Sequence, residues 1–218
     1  MSSHRPDAVV VGGGPAAGAA ARALAAAGRH VILLTAEDRS PYDRTVLSKD
    51  VLLLPGATVP EVWPAGDPWR ERIEVRTNTT VASLDPDARR LVTASGDVVP
   101  FESVILATGA QPRRLALPGA DGEGVHYLRD TTDAAALSQA LDHASRLVIV
   151  GGGVIGLEVA AAAATRGVDV VVLEAADRVL ARGVPAAVAG WLCALHEAHG
   201  VVVRTGVAPD AVLRSPDG

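Results

Sequence analysis

Two clusters of consecutive glycines, Gly12–Gly14 and Gly151–Gly153, are the residues of this 218-residue chain best placed to do chemistry. Each follows an aliphatic run and opens an alanine-rich stretch, the setting in which a chain turns sharply from a strand into a helix. Such a turn leaves backbone N–H groups unpaired at the positive end of the helix dipole, where phosphate binds. In Gly12-x-Gly14-x-x-Ala17 the first glycine permits the turn and the second lets a pyrophosphate approach the backbone. Ala17 is small enough for close helix–strand packing. Gly151-x-Gly153-x-x-Gly156 carries all three glycines. A dinucleotide is expected at each turn.

A dinucleotide site of this kind also needs an acid at the end of the next strand, to accept hydrogen bonds from the ribose hydroxyls. Glu174 stands 23 residues after Gly151 and repels a 2′-phosphate, which favours NAD over NADP. Arg178 lies close enough in sequence to soften that preference. Glu37 is the candidate for the first turn. Read alone, it is either the ribose acid or a solvated loop acid.

The elements that must hold these residues repeat. Ala8–Ala36 and Leu147–Ala175 both read strand, glycine turn, alanine-rich helix, glycine, strand, with first glycines 139 positions apart. In each copy a glycine, Gly28 or Gly167, stops the helix. The continuous Val/Ile/Leu runs suit parallel strands buried on both faces. Between the copies, Pro41–Lys49 reads as a loop entering a short helix. Ile73–Val75, Thr80–Leu84, Leu91–Ala94, Val98–Phe101 and Ser103–Ala107 read as strands. Gln111–Gly124 reads as a linker, Asp130–Ala144 and Pro185–His199 as helices, Val201–Arg204 as a strand and Ser215–Gly218 as a turn. Asp130 and Asp133 are placed to cap a helix. The fold class is α/β, with two Rossmann-like, three-layer dinucleotide-binding units of the FAD/NAD(P)-binding kind. The expected division is residues 1–112 and 113–218.

Composition narrows the function. Apolar residues make up 49% and aromatics 3%, so Ala, Val and Leu must fill the core. A net charge of −5 implies no basic face for nucleic acid. One cysteine, Cys193, allows no disulfide framework and reads as a structural thiol. His196 and His199 are three apart on a helix, too weak a pattern for a metal site, and none is expected. Trp63, Trp69 and Trp191 read as residues that pack or cover a surface rather than stack a flavin. The polar start, Met1–Asp7, predicts no signal peptide, and the longest apolar stretch, Val159–Ala164, cannot span a bilayer. A cytoplasmic location is expected. Nineteen of the 20 basic residues are arginine, and Lys49 is the only lysine.

Four further segments carry a resemblance. Pro41-Tyr42-Asp43-Arg44-Thr45-Val46-Leu47-Ser48-Lys49 resembles the flavin-contacting loop of FAD- and NADH-dependent ferredoxin reductases of the putidaredoxin reductase type. Ala107–Arg113 is similar to their ATG segment, Val125–Arg129 to the strand after it, and Gly151–Glu158 to their NAD turn. The resemblance implies an oxidoreductase that passes electrons from NADH through FAD to a ferredoxin-type iron–sulfur protein serving an oxygenase. It implies FAD contacts for Ala16, Lys49, Val81 and Arg129. It places Arg44 and Thr108-Gly109 along the same cofactor, and Ile155 on the NAD turn. It also implies that Lys49 and Glu158 pair beside the flavin ring as the catalytic residues, the glutamate holding a cation that stabilises reduced flavin.

Three departures qualify it. Thr45-Val46 replaces two prolines, and the family's first acid often falls at the position of Ala36. Family members extend well beyond this length, so the expectation is a C-terminally incomplete NAD unit without the later ribityl-contacting segment and interface domain. Other readings are a dinucleotide-binding fragment without turnover, and an NADH–flavin reductase with rubredoxin, nitrite reductase or oxygen as acceptor. Disulfide-type flavin reductases need a cysteine pair, and Pro41–Lys49 contains none.

Overall fold

The computed structural model describes residues 6–54, 56–64 and 66–213. The turn expected at Ser215–Gly218, and residues 1–5 of the polar start, lie outside them. The chain divides into two compact units, one of residues 1–44 and 59–110, the other of residues 45–58 and 111–218. The segment Thr45–Thr58 therefore belongs with the second unit, although the first flanks it in sequence.

In the first unit, β1 (Ala8–Val11), β2 (Val31–Leu34), β3 (Ile73–Arg76) and β7 (Ser103–Leu106) form a parallel sheet in the order β3-β2-β1-β7. All residues of β1 and β2 are buried, as strands covered on both faces require. Side chains alternate between the faces. Val10, Val31 and Leu33 pack on Ala17, Ala21 and Ala25 of α1 (Pro15–Ala26). Val9, Val11, Ile32 and Leu34 pack on Leu91, Val99 and Phe101. That second cover is an antiparallel meander of β4 (Val81–Asp85), β5 (Arg90–Thr93) and β6 (Val98–Pro100). The three layers of the sequence reading are thus present here. Trp63 is 5% exposed and donates its indole N–H to the Gly18 carbonyl at 2.9 Å, a packing role.

The second unit repeats the plan. β8 (Arg146–Val150), β9 (Asp169–Glu174) and β10 (Val202–Thr205) form a parallel sheet in the order β10-β9-β8. One face, with Val170 and Val172, packs on α4 (Val154–Thr165), on Leu137 and Leu141 of α3 (Thr131–His143), and on Leu52 of α2 (Asp50–Leu53). α5 (Ala186–Ala198) joins through Ala189 and Leu192, in a cluster with Val203 of β10. Val148, Val150 and Val202 on the opposite face are exposed. Gly28 and Gly167 end their helices at φ +83° and +81°, the left-handed conformation the reading assigned them. No helix among the described residues is long and apolar enough to cross a membrane.

Asp130 caps α3. Its carboxylate accepts from the N–H groups of Thr132 and Asp133, at 2.9 and 3.0 Å, and the Asp133 side chain answers to the Asp130 N–H. Asp130→Ala is expected to lower stability by about 1 kcal/mol. Urea denaturation monitored by circular dichroism checks this, and an unchanged midpoint would contradict it.

Candidate functional site

Each glycine turn is tied to the strand beside it in the same way. The Gly12 N–H donates to the Leu34 carbonyl at 2.8 Å, and the Gly151 N–H to the Leu173 carbonyl at 2.8 Å. Both glycines hold positive φ, +135° and +108°, conformations that side-chain-bearing residues rarely adopt. At Gly12 a Cβ would also lie 2.1 Å from the Ala107 carbonyl oxygen. Gly14 and Gly153 are the N-caps of α1 and α4, without a side-chain cap, and neither helix has an acid in its first turn. Helix N-termini ordinarily attract acids. Here neither first turn carries one, and a Cβ on Gly151 or Gly153 would meet nothing within 4 Å. The space and the field both suit a pyrophosphate.

The third small residue of each motif has a packing task. Ala17 is fully buried against the sheet. A Cβ on Gly156 would come within 2.2 Å of the Gly151 carbonyl oxygen. Sequence reasoning missed Gly18, where a Cβ would lie 2.3 Å from Val62. Ala16 and Ile155 are exposed in the first turns of α1 and α4.

The two acids differ. Glu174 ends β9, and its carboxylate reaches back to the turn, accepting from the N–H groups of Gly152 at 2.7 Å and Ala176 at 2.8 Å. In the first unit the corresponding position, just past Leu34, is Thr35, buried at 1% exposure. Glu37 stands two residues later. It is no solvated loop acid: its side chain is 24% exposed, accepts from the Tyr42 hydroxyl at 2.7 Å and pairs with Arg44. The Arg44 guanidinium lies 4.9 Å from the Tyr42 ring centre, and its Nε would be 3.5 Å from a Cβ on Gly14. A cation therefore stands over the first turn. Thr108 and Gly109 follow β7, where the Ala107 N–H bonds the Val11 carbonyl at 2.8 Å, and Val81 opens β4. Gly12, Gly14, Thr108 and Gly109 thus gather at the carboxyl ends of β1 and β7, where the strand order reverses and ligands bind in such sheets.

Lys49 and Arg129 belong to the second unit. The Arg129 N–H donates to Asp133 at 2.8 Å, just before α3. The Lys49 ammonium lies 3.1 Å from Glu158 Oε1 and donates to the Thr45 carbonyl at 3.1 Å. Residues 109 positions apart in the chain are brought together. Two residues that sequence reasoning missed help to do so. The buried Ser48 hydroxyl donates to Glu158 Oε2 at 2.5 Å. Arg166 donates to the carbonyls of Leu52 and Ser138, and to Asp142, tying the Lys49 segment to α3 and α4. Arg178 is engaged with the Ala181 and Val184 carbonyls, at 2.8 and 3.1 Å. Burial, then Glu197, pushes the Cys193 thiol up, which makes it a poor thiolate.

Compared with known families, residues 6–217 match pyridine nucleotide-disulphide oxidoreductase. The chain belongs to this family. Within the family, it is 38% identical over 193 residues to the ferredoxin–NAD(+) reductase component of the p-cumate 2,3-dioxygenase system of Pseudomonas putida. That alignment covers 86% of this chain and 48% of the relative. The ferredoxin reductase for the CYP199A2 system from Rhodopseudomonas palustris superposes with a TM-score of 0.89 at 31% identity, covering 97% of this chain and 53% of that one. The reductase of a covalent putidaredoxin reductase–putidaredoxin complex gives 0.87 at 30% identity, covering 97% and 52%. The chain spans about half the length of the relatives it matches. Its α/β fold is theirs.

Two glycines of one turn separate folding from binding. Gly156→Ala is expected to lower stability by about 1–3 kcal/mol, since its neighbour is backbone. Gly153→Ala should stay within about 1 kcal/mol, the alanine penalty at an N-cap. Thermal unfolding with and without NAD tests the pair: NAD is expected to stabilise the unaltered protein and not Gly153→Ala, and equal stabilisation of both would contradict the assignment of that glycine to phosphate.

Proposed function

We propose that this chain is the dinucleotide-binding part of a cytoplasmic flavoprotein oxidoreductase that passes electrons from NADH through FAD to a ferredoxin-type iron–sulfur protein. The observation that carries the reading is the pair of glycine turns at helix N-termini without a side-chain cap, the second with open space around Gly151 and Gly153 and the first with Arg44 over it, in a member of the pyridine nucleotide-disulphide oxidoreductase family. The first turn, with Ala16, Glu37, Arg44, Val81, Thr108 and Gly109, would hold FAD, and the resemblance proposes Lys49 and Arg129 as FAD contacts. The second, with Ile155 and Glu174, would hold NAD(H). FAD, when bound, supplies the hydride acceptor and the one-electron donor.

The chain's own residues bind and tune. The first-turn N–H groups and Arg44 receive the FAD pyrophosphate. Glu174 is held by two backbone donors with lone pairs left for the ribose hydroxyls, and its charge repels a 2′-phosphate. Arg178 is committed to loop carbonyls, which supports NADH over NADPH. Lys49, kept by Glu158, supplies a positive charge that favours the reduced, anionic flavin.

The test begins with the purified chain. FAD is expected to bind and its absorbance to bleach on anaerobic addition of NADH. Flavin bound without bleaching would reduce the reading to a binding unit without turnover, and no flavin binding would sink it. Glu174→Ala is expected to weaken NADH binding by about 10- to 100-fold, the worth of a charged hydrogen bond. It should also narrow the preference over NADPH. An unchanged preference would show that Glu174 does not read the ribose.

A further inference from the structure

Among the described residues three serines and threonines are buried: Thr35, Ser48 and Thr93. Two serve nearby backbone. The Thr35 hydroxyl accepts from the Glu37 N–H, and Thr93 closes the turn to Asp97. Ser48 is different. Its hydroxyl, at 5% residue exposure, donates at 2.5 Å to a carboxylate 110 positions away. That carboxylate is Glu158, whose other oxygen holds Lys49 at 3.1 Å. Consecutive residues thus address the two oxygens of one carboxylate.

We propose that Ser48 is a positioning residue for Lys49, acting through Glu158. The proposal rests on the flavin-tuning role given to Lys49 above. The ion pair alone is a weak device. The Lys49 and Glu158 side chains are 47% and 27% exposed, and such pairs hold loosely in water because both side chains are long and hydrated. Ser48 has a single rotatable bond before its hydroxyl and sits in the core. A carboxylate can only accept, so the hydroxyl at 2.5 Å must donate to it, which fixes its plane. The free edge of the carboxylate is thereby turned to Lys49. The Lys49 ammonium has three donors. Glu158 and the Thr45 carbonyl engage two of them, and the third is left for a bound group.

The chain's single lysine gives a clean readout. Isotope-coded reductive methylation of the folded protein, read by mass spectrometry at Lys49, measures how firmly its amine is held. Glu158→Gln is expected to speed labelling by about two- to five-fold, the range of an exposed pair. Ser48→Ala should speed it in the same direction, and Ser48→Thr, which keeps the hydroxyl, should restore the slow rate. In protein loaded with FAD, Ser48→Ala, which removes no charge, should make the flavin midpoint potential more negative. Faster labelling in Glu158→Gln with no change in Ser48→Ala overturns the proposal and leaves the pair intact. No change in either variant removes the pair itself, and the proposal with it. Faster labelling in both, with an unmoved potential, keeps Ser48 as the positioner of Lys49 and removes the role of Lys49 at the flavin. Should Ser48→Thr fail to fold, the comparison of Ser48→Ala with Glu158→Gln still decides.

Discussion

A single backbone hydrogen bond sets the geometry of both turns: the N–H of the first glycine to a carbonyl at the end of the neighbouring strand, Leu34 in one unit and Leu173 in the other, 2.8 Å in each. It fixes the turn against that strand's end, so the next residue along the strand lies beneath the glycines. In the second unit that residue is Glu174, which bonds the Gly152 N–H. In the first it is Thr35, and a Cβ on Gly13 would come within 2.2 Å of its hydroxyl. The same bond therefore yields two different sites. The second has its acid built into the turn. The first has a small residue there, and its acid, Glu37, is reached two residues later and held by Tyr42 and Arg44.

The two units also differ in what covers their sheets. In the first, the face carrying Val9, Val11, Ile32 and Leu34 lies under the β4–β6 meander. In the second, the corresponding residues Val148 and Val150 are 54% and 43% exposed. The helical face is well packed in both, because alanines at α1 and α4 let helix and sheet approach closely. The glycine turns depend on that helix–strand packing, and it is complete in both units.

Leu52, rather than the lysine ion pair, accounts for how the Thr45–Thr58 segment is held in the second unit. Burying one leucine contributes about 1.5–3 kcal/mol, whereas an exposed ion pair contributes about 0–1 kcal/mol. Leu52 is 1% exposed in the cluster with α3 and α4, and Arg166 binds its carbonyl at 2.9 Å. The apolar anchor brings the backbone into place, and Ser48, Lys49 and Glu158 then select one arrangement of charge. Arg166 carries four such bonds from the end of α4 and so ties α2 to α3 and α4.

The sequence by itself determined the two strand–turn–helix repeats, because glycine, helix stop and buried strand are local matters of backbone conformation and periodicity. It also placed the Asp130 cap and the acid at Glu174, whose spacing from Gly151 follows from the length of one helix and one strand. Tertiary structure alone decided what lies far along the chain from its partner. Ser48 and Arg166 carry no motif, since a serine before a lysine and an arginine at a helix end look like surface residues until a distant carboxylate or carbonyl faces them. The same holds for the membership of Thr45–Thr58 in the second unit, for Arg178 being occupied by loop carbonyls, and for Glu37 being held rather than solvated. These are settled by which apolar surfaces bury one another, a property of the folded chain that no local spacing encodes.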